Sequence, residues 1–485
     1  MVRTKQRLGL RAVGVYGLLV VLPVLISVVL LTREGGAGGG ATKAAAAGHP
    51  LAQLLLAIAV VIAACRLAGW LMRRIGQPAV VGEIIAGVVL GPSLLGAVWP
   101  AGAAALLPDA ILPQLNVLAQ VGVVLFVFLT GLELNTRLIR GRGHLAVVVS
   151  HVSIAVPFVL GVLLAIVAYA KFAPEGVGPL AFALFIGVSM SITALPVLAR
   201  ILKDTGMFHS RVGVVVLTCA VIDDVTAWSL LALVVAVVTA SSLVGVLLTL
   251  GSAVAFAALL LYAIRPLMTL YFARTPDPTL RRLAPLALVG VLLCAMATEW
   301  IGVHAMFGAF MFGLVFPRGN VVERWLHQNA SGLTTVLMLP LFFAYSGLRT
   351  NLTLLADASQ WLWCAVILVV AVVGKLVSAA VAARSVGESL PRALQIGVLM
   401  NCRGLTELIV LNVGLDLGVL SPTIFTMLVL MALISTAMTA PLAVVLDKRA
   451  SRHKAALASV QQQPAVAMSR ATPAGAEEHD AVTDR

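Results

Sequence analysis

The chain has 485 residues, of which 61% are hydrophobic and only 11% charged. A soluble protein of this length could not cover its surface with so few charges, so most side chains must face lipid or the protein interior. The net charge of +13 would suit a nucleic-acid partner only as a continuous patch, but the basic residues lie in short clusters between apolar runs, as in the cytoplasmic loops of a polytopic membrane protein.

Apolar windows of helical length, separated by polar or Gly/Pro breaks, predict about fourteen membrane spans. In chain order they lie near 13–31, 51–72, 79–98, 114–133, 144–170, 179–202, 211–238, 243–271, 283–300, 302–317, 333–350, 361–384, 391–413 and 422–446. The first has a basic start and is followed by "GGAGGGATKAAAAG". Its apolar run is long for a cleaved signal peptide, so residues 1–50 read as an extra retained helix and a Gly/Ala-rich loop. The pair over 283–317 is joined by a very short connection between Glu299 and Val303. Residues 447–485 are rich in Ala, Gln, Glu and Ser, lack apolar periodicity and read as a disordered tail.

Loop charges orient these spans. With Met1 in the cytoplasm, the inner loops receive Arg73 and Arg74; Arg137, Arg140 and Arg142; Arg274, Arg281 and Arg282; and Lys448, Arg449 and Arg452. The outer loops keep Arg33, Lys43, Lys171 and Arg349. That bias places both termini in the cytoplasm of a multi-pass cell-membrane protein. Cys65, Cys219, Cys294, Cys364 and Cys402 fall in apolar segments without CxxC spacing, which argues for free thiols over a disulfide framework or a zinc site.

Two spans are interrupted. One carries "GVSMSITALPVLARIL", where Ser189, Ser191 and Thr193 precede Pro196, a residue with no amide to donate. The other carries "LMNCRGLTELIVLNVG", with Asn401, Arg403, Gly404 and Glu407 packed into about two turns. Broken backbone at membrane depth is tolerated only against a cavity or the protein interior. The two spans are seven apart in the order above, so they run in opposite directions. A matched pair of interrupted segments marks a transporter's midplane site.

The greasy span after the first break holds "VIDDVTAW", with Asp223 and Asp224 in its middle; the span before the second holds "VVAVVGKLVSAAVAA", whose charge is Lys375. Two carboxylates and one ammonium are therefore expected on equivalent helices beside crossed breaks. Each intramembrane charge costs several kcal/mol unless paired. Adjacent helical residues point about 100° apart, so the acids divide their roles: one pairs with Lys375, the other binds a proton or a cation. Glu83, Glu133 and Glu299 sit near predicted ends and read as anchors, His304 as a packing residue. Arg403 and Glu407, one turn apart, can pair within their helix or support the site.

Together "GEIIAGVVLGPSLLG", "FLTGLELN", "SITALPVLARIL", "VIDDVTAW", "IGVHAMFGAFMFGLVFP", "LFFAYSGLRTNL" and "RGLTELIVLNVG" resemble the monovalent cation:proton antiporter-2 family, especially the branch holding the plant cation/proton exchangers. The resemblance covers about 51–446 and implies an all-α sodium/proton antiporter fold, with thirteen helices in inverted repeats, two crossed broken helices, a six-helix core and a dimerisation domain that makes a homodimer. It matches the family's ion-binding aspartate to Asp224, its acidic partner to Asp223, its broken-helix threonine to Thr193 and its core lysine to Lys375. It implies no cofactor beyond the transported sodium or potassium and proton. Where the plant branch often has Asn, this chain has Asp223, which resembles the electrogenic members; the nucleotide-binding domain of potassium-efflux members has no counterpart here.

The expected function is cation:proton exchange by alternating access, with both ions competing for Asp224. Thr193 and carbonyls freed near Pro196 are expected to complete the cation's shell, and Ser191, Asn401, Arg403 and Glu407 to support it. A cation channel would need a continuous polar pore, whereas charge here concentrates at one depth. An intramembrane aspartyl protease would need its two acids on separate helices.

Overall fold

A computed structural model of the protein describes residues 50–133, 143–240, 242–274 and 280–469. Among these residues, eleven helices are long and apolar enough to cross a bilayer, and a further pair crosses with a 41° bend. Each expected span from residue 51 onwards meets one of these helices or the short apolar helix Ala305–Val315. The expected first span, 13–31, lies outside the described residues.

Four segments build the architecture. The first comprises α1 (Pro50–Arg74), α2 (Ala79–Leu90) and α3 (Leu112–Glu133). The second comprises α4 (Gly143–Phe172), the interrupted pair α5 (Pro179–Ser191) and α6 (Leu195–Asp204), and α7 (Arg211–Thr239). The third holds α8 (Leu243–Ala258), which continues towards Arg274, then α9 (Leu280–Ile301), α10 (Ala305–Val315) and α11 (Leu339–Leu348). The fourth holds α12 (Ala358–Ser385), the second interrupted pair α13 (Leu390–Met400) and α14 (Leu405–Asp416), and α15 (Pro422–Ser469).

The second and fourth segments pack into one bundle, in which α4 lies against α5, α7 and α12, and α13 against α7, α12 and α15. The first and third form a flanking wall held at backbone contact. A Cβ on Gly131 of α3 would meet the Phe310 carbonyl of α10 at 2.5 Å, and one on Gly313 would meet the Phe128 carbonyl at 2.2 Å. In a membrane such close approach of small residues replaces the hydrophobic effect as the source of helix association. Across the seam between wall and bundle, Trp228 meets Phe310 with ring centroids 6.2 Å apart, and Arg349 pairs with Asp416 at 2.7 Å.

Helix, interrupted helix, helix recurs in the same chain order in the second and fourth segments. The carboxylate helix α7 therefore answers to α15, and the lysine helix α12 to α4, on which it packs. Contrary to the expectation of equivalent helices, α7 and α12 do not correspond to each other, because α7 follows its break and α12 precedes its own.

The tail expected from residue 447 also begins differently: α15 continues to Ser469. The sequence from Asp447 is rich in Ala, Lys, Arg and Gln, good helix formers that extend a helix already nucleated in the membrane. Residues 470–485 lie outside the described residues. The tight connection before α10 bends through Gly302 and His304, with φ of 90° and 94°. Glu299 anchors it, accepting from the Ala305 amide at 2.7 Å.

Both breaks follow from their sequences. Ile192 and Ala194 are extended, and Pro196 sits in the first turn of α6, where its missing amide has no helical partner to lose. In the second break Gly404 adopts φ +153°, and a Cβ there would stand 2.8 Å from Val197 of α6. The breaks cross and join: the Ala194 amide donates to the Cys402 carbonyl at 3.1 Å, and the Thr193 hydroxyl to the Met400 carbonyl at 3.3 Å.

Candidate ion-binding site

Asp223 and Asp224 sit on α7 where it passes this crossing, with 0% and 1% of their surface exposed. Their environments are opposite. Asp223 is fully satisfied: the Ser150 hydroxyl of α4 donates to its Oδ1, the Thr193 hydroxyl donates to its Oδ2 at 2.7 Å, and the Lys375 ammonium stands 3.5 Å from the same oxygen. Lys375 is wholly buried and donates to the Ser191 carbonyl, so it does not reach towards an interface.

Arg403 reinforces the same region. Its guanidinium donates to the Ser189 carbonyl at 2.9 Å and the Met190 carbonyl at 2.7 Å, and pairs with Glu407 at 3.2 Å. The last three carbonyls of α5 thus each face a cation, as the negative end of a helix dipole favours. The expected intrahelical pair is present, and the same guanidinium braces the end of α5. Thr436 holds Arg403 in place, accepting from its amide at 3.1 Å and donating to its carbonyl at 2.7 Å. The Asn401 Oδ1 and Glu407 Oε1 are buried without a partner among the described residues.

Asp224 faces the other way. Its Oδ1 is buried without a partner among the described residues. It borders a cavity of about 10 Å³ whose walls include Thr130 of α3, Pro196 of α6, Trp228 of α7, and Thr406 and Ile409 of α14. That is room for about one water-sized sphere, so an ion enters only stripped of its hydration shell. Pro196 and Thr406 belong to the first turns of α6 and α14; two positive helix ends therefore flank the carboxylate. The cavity lies on the seam between bundle and wall.

The family model for the transmembrane sodium/hydrogen exchanger matches residues 57–445. The chain belongs to the sodium/hydrogen exchanger family. It is 43% identical over 400 residues to a sodium/proton antiporter, NhaS4, of Synechocystis, covering 82% of this exchanger and 97% of that protein. It is 36% identical to cation/proton antiporter 17 of Arabidopsis thaliana and 35% identical to potassium/proton antiporter 1 of Saccharomyces cerevisiae. Those matches cover 82% and 81% of this exchanger but 49% and 46% of the two relatives, so it spans about half their length. The fold is that of the sodium/proton antiporter of Methanocaldococcus jannaschii, with a TM-score of 0.55 at 13% identity over 81% of this exchanger and 96% of that chain.

The geometry redistributes the expected ligands of this exchanger. Thr193 serves Asp223 rather than Asp224, because the extended backbone at the break turns its hydroxyl towards α13 and the acid above it. Three carbonyls before the break are occupied: Ser189 and Met190 by Arg403, and Ser191 by Lys375. Pro196 lines the Asp224 cavity. Sequence reasoning missed Ser150, Thr130 and Thr406. The last two stood inside the quoted motifs "FLTGLELN" and "RGLTELIVLNVG", where a hydroxyl among aliphatic residues was the available signal.

Proposed function

We propose that this exchanger carries sodium or potassium against protons by competition at one carboxylate, Asp224. The observation that carries this is the contrast between two adjacent buried acids: Asp223 is matched by Lys375 and two hydroxyls, while Asp224 has an oxygen without a partner beside an ion-sized cavity. Lys375 and Arg403 balance Asp223 and Glu407, so Asp224 is the odd charge of the cluster. A bare carboxylate would carry that charge through a low-dielectric barrier at a cost of several kcal/mol. A proton or a monovalent cation removes it, so only occupied forms cross and exchange is obligatory. The chain acts in the cell membrane as a homodimer with both termini in the cytoplasm, in keeping with its loop charges.

The test is dequenching of a pH-sensitive dye in sealed proteoliposomes, titrating sodium, potassium, lithium and rubidium separately. Asp224→Asn should abolish cation-driven proton movement while the protein stays folded. Normal proton movement in that variant would overturn the assignment, and cation flux without proton counterflow would indicate a channel.

A further inference from the structure

We propose that Thr406 and Thr130 are the neutral oxygen ligands that complete the cation's shell and set ion choice. This rests on the assignment of Asp224 as the carrier. A stripped alkali cation needs several oxygens, and one carboxylate does not supply them. The hydroxyls nearest the first break are committed elsewhere, Thr193 to Asp223 and Met400 and Ser191 to Val188, and the Ser191 carbonyl is taken by Lys375. What remains on the Asp224 cavity is two hydroxyls.

Both are poised to accept a cation. Thr130 is 8% exposed and spends its single proton on the Phe126 carbonyl at 3.0 Å, which leaves the oxygen lone pairs for the cavity. Thr406 is 4% exposed, and its hydroxyl makes no hydrogen bond among the described residues. It lines the same cavity as the Asp224 Oδ1, and that buried, unpartnered oxygen, unfavourable as it stands, marks a site built for a ligand that arrives from outside. The two threonines come from opposite sides of the seam, Thr406 from the bundle and Thr130 from the wall, so the spacing between them measures the ion. Protons need no such shell. The threonines therefore act on cation affinity and order, and leave proton binding at Asp224 untouched.

The experiment replaces each threonine by valine, which keeps the shape and removes the oxygen, and by serine, which keeps the oxygen. Half-saturating concentrations of lithium, sodium, potassium and rubidium are measured in proteoliposomes, with cation-dependent thermal protection in detergent as a readout independent of transport. Thr406→Val should raise the half-saturating concentration of the preferred cation by about tenfold, equal to about 1.4 kcal/mol, and weaken thermal protection in parallel. Thr130→Val should change the order of preference among the four ions. Both serine variants should stay close to the unmodified protein, and the pH dependence of exchange at saturating cation should not move. If Thr406→Val does not fold, Thr130→Val and Thr406→Ser carry the test alone. Valine variants with unchanged half-saturation and unchanged ion order would overturn the proposal while leaving Asp224 in place. Persistent exchange in Asp224→Asn would instead remove its foundation.

Discussion

Replacing Lys375 by alanine removes one partner of a wholly buried pair. At the 3.5 Å separation from Asp223, two unit charges attract by about 5 kcal/mol at an effective dielectric of about 20. Breaking such a pair from one side typically costs about 3–5 kcal/mol, because the surviving charge is left in the interior. Ser150 and Thr193 still donate to Asp223, which places the expected loss towards the lower end. Removing both charges, in Lys375→Ala with Asp223→Asn, should restore the part of the stability lost to the uncompensated charge. It would not restore the bond from Lys375 to the Ser191 carbonyl, worth about 1.5–3 kcal/mol for a charged donor. The coupling energy between the two sites should therefore be about 2–3 kcal/mol. Titration with a denaturing detergent in mixed micelles, followed by tryptophan fluorescence, gives the four free energies of the cycle. Losses that simply add would show that the ammonium and the carboxylate do not sense each other, and the charge balance drawn around Asp224 would fall with them.

Two further outcomes follow from the crossing. Gly404→Ala puts a Cβ on a backbone at φ +153° and 2.8 Å from Val197; it should destabilise by several kcal/mol and abolish exchange, and trimming Val197 to alanine should relieve only the steric part, since the backbone strain, about 1–3 kcal/mol, remains. If Asp223, held by three donors, keeps its charge and Asp224 alone changes its own, exchange should be one cation per proton, in contrast to the electrogenic members that the acidic pair resembles in sequence. A potential of either sign, imposed at zero pH gradient with an ion that is not transported, should drive no proton flux; each uncompensated charge would be worth about 2.3 kcal/mol per 100 mV, and a clear flux would show that the Lys375 pair opens during transport.

The breaks were legible because their residues violate the rules of a lipid-facing helix: Pro196 lacks an amide, and Asn401, Arg403 and Glu407 are too polar to face hydrocarbon. The different surroundings of the two acids were legible in outline, since neighbours on a helix point apart, and Lys375 is the partner of one of them. The hydroxyl assignments were not. Thr130 donates to the carbonyl four residues back, as Thr218 and Thr226 also do, so a threonine at a site and a threonine in a wall have the same local habit. Only the three-dimensional cavity separates them. Ser150 was hidden for a different reason: it lies 73 positions from Asp223, on a helix whose apolar run gives no hint of a partner. The end of α15 was misjudged because amphipathic periodicity is no guide once a helix leaves the bilayer as an extension of one already formed.

The bond between the Ala194 amide and the Cys402 carbonyl, with the Arg403 clamp on α5, ties the two interrupted helices into one piece. Asp223 on α7 is bonded to that piece through Thr193, and through Lys375, which also holds the Ser191 carbonyl. An exchanger that couples two ions in one passive cycle is reversible, and nothing in that coupling favours import over export. The molecule works as a balance between two gradients, and its direction in a living cell is set by whatever pumps maintain them.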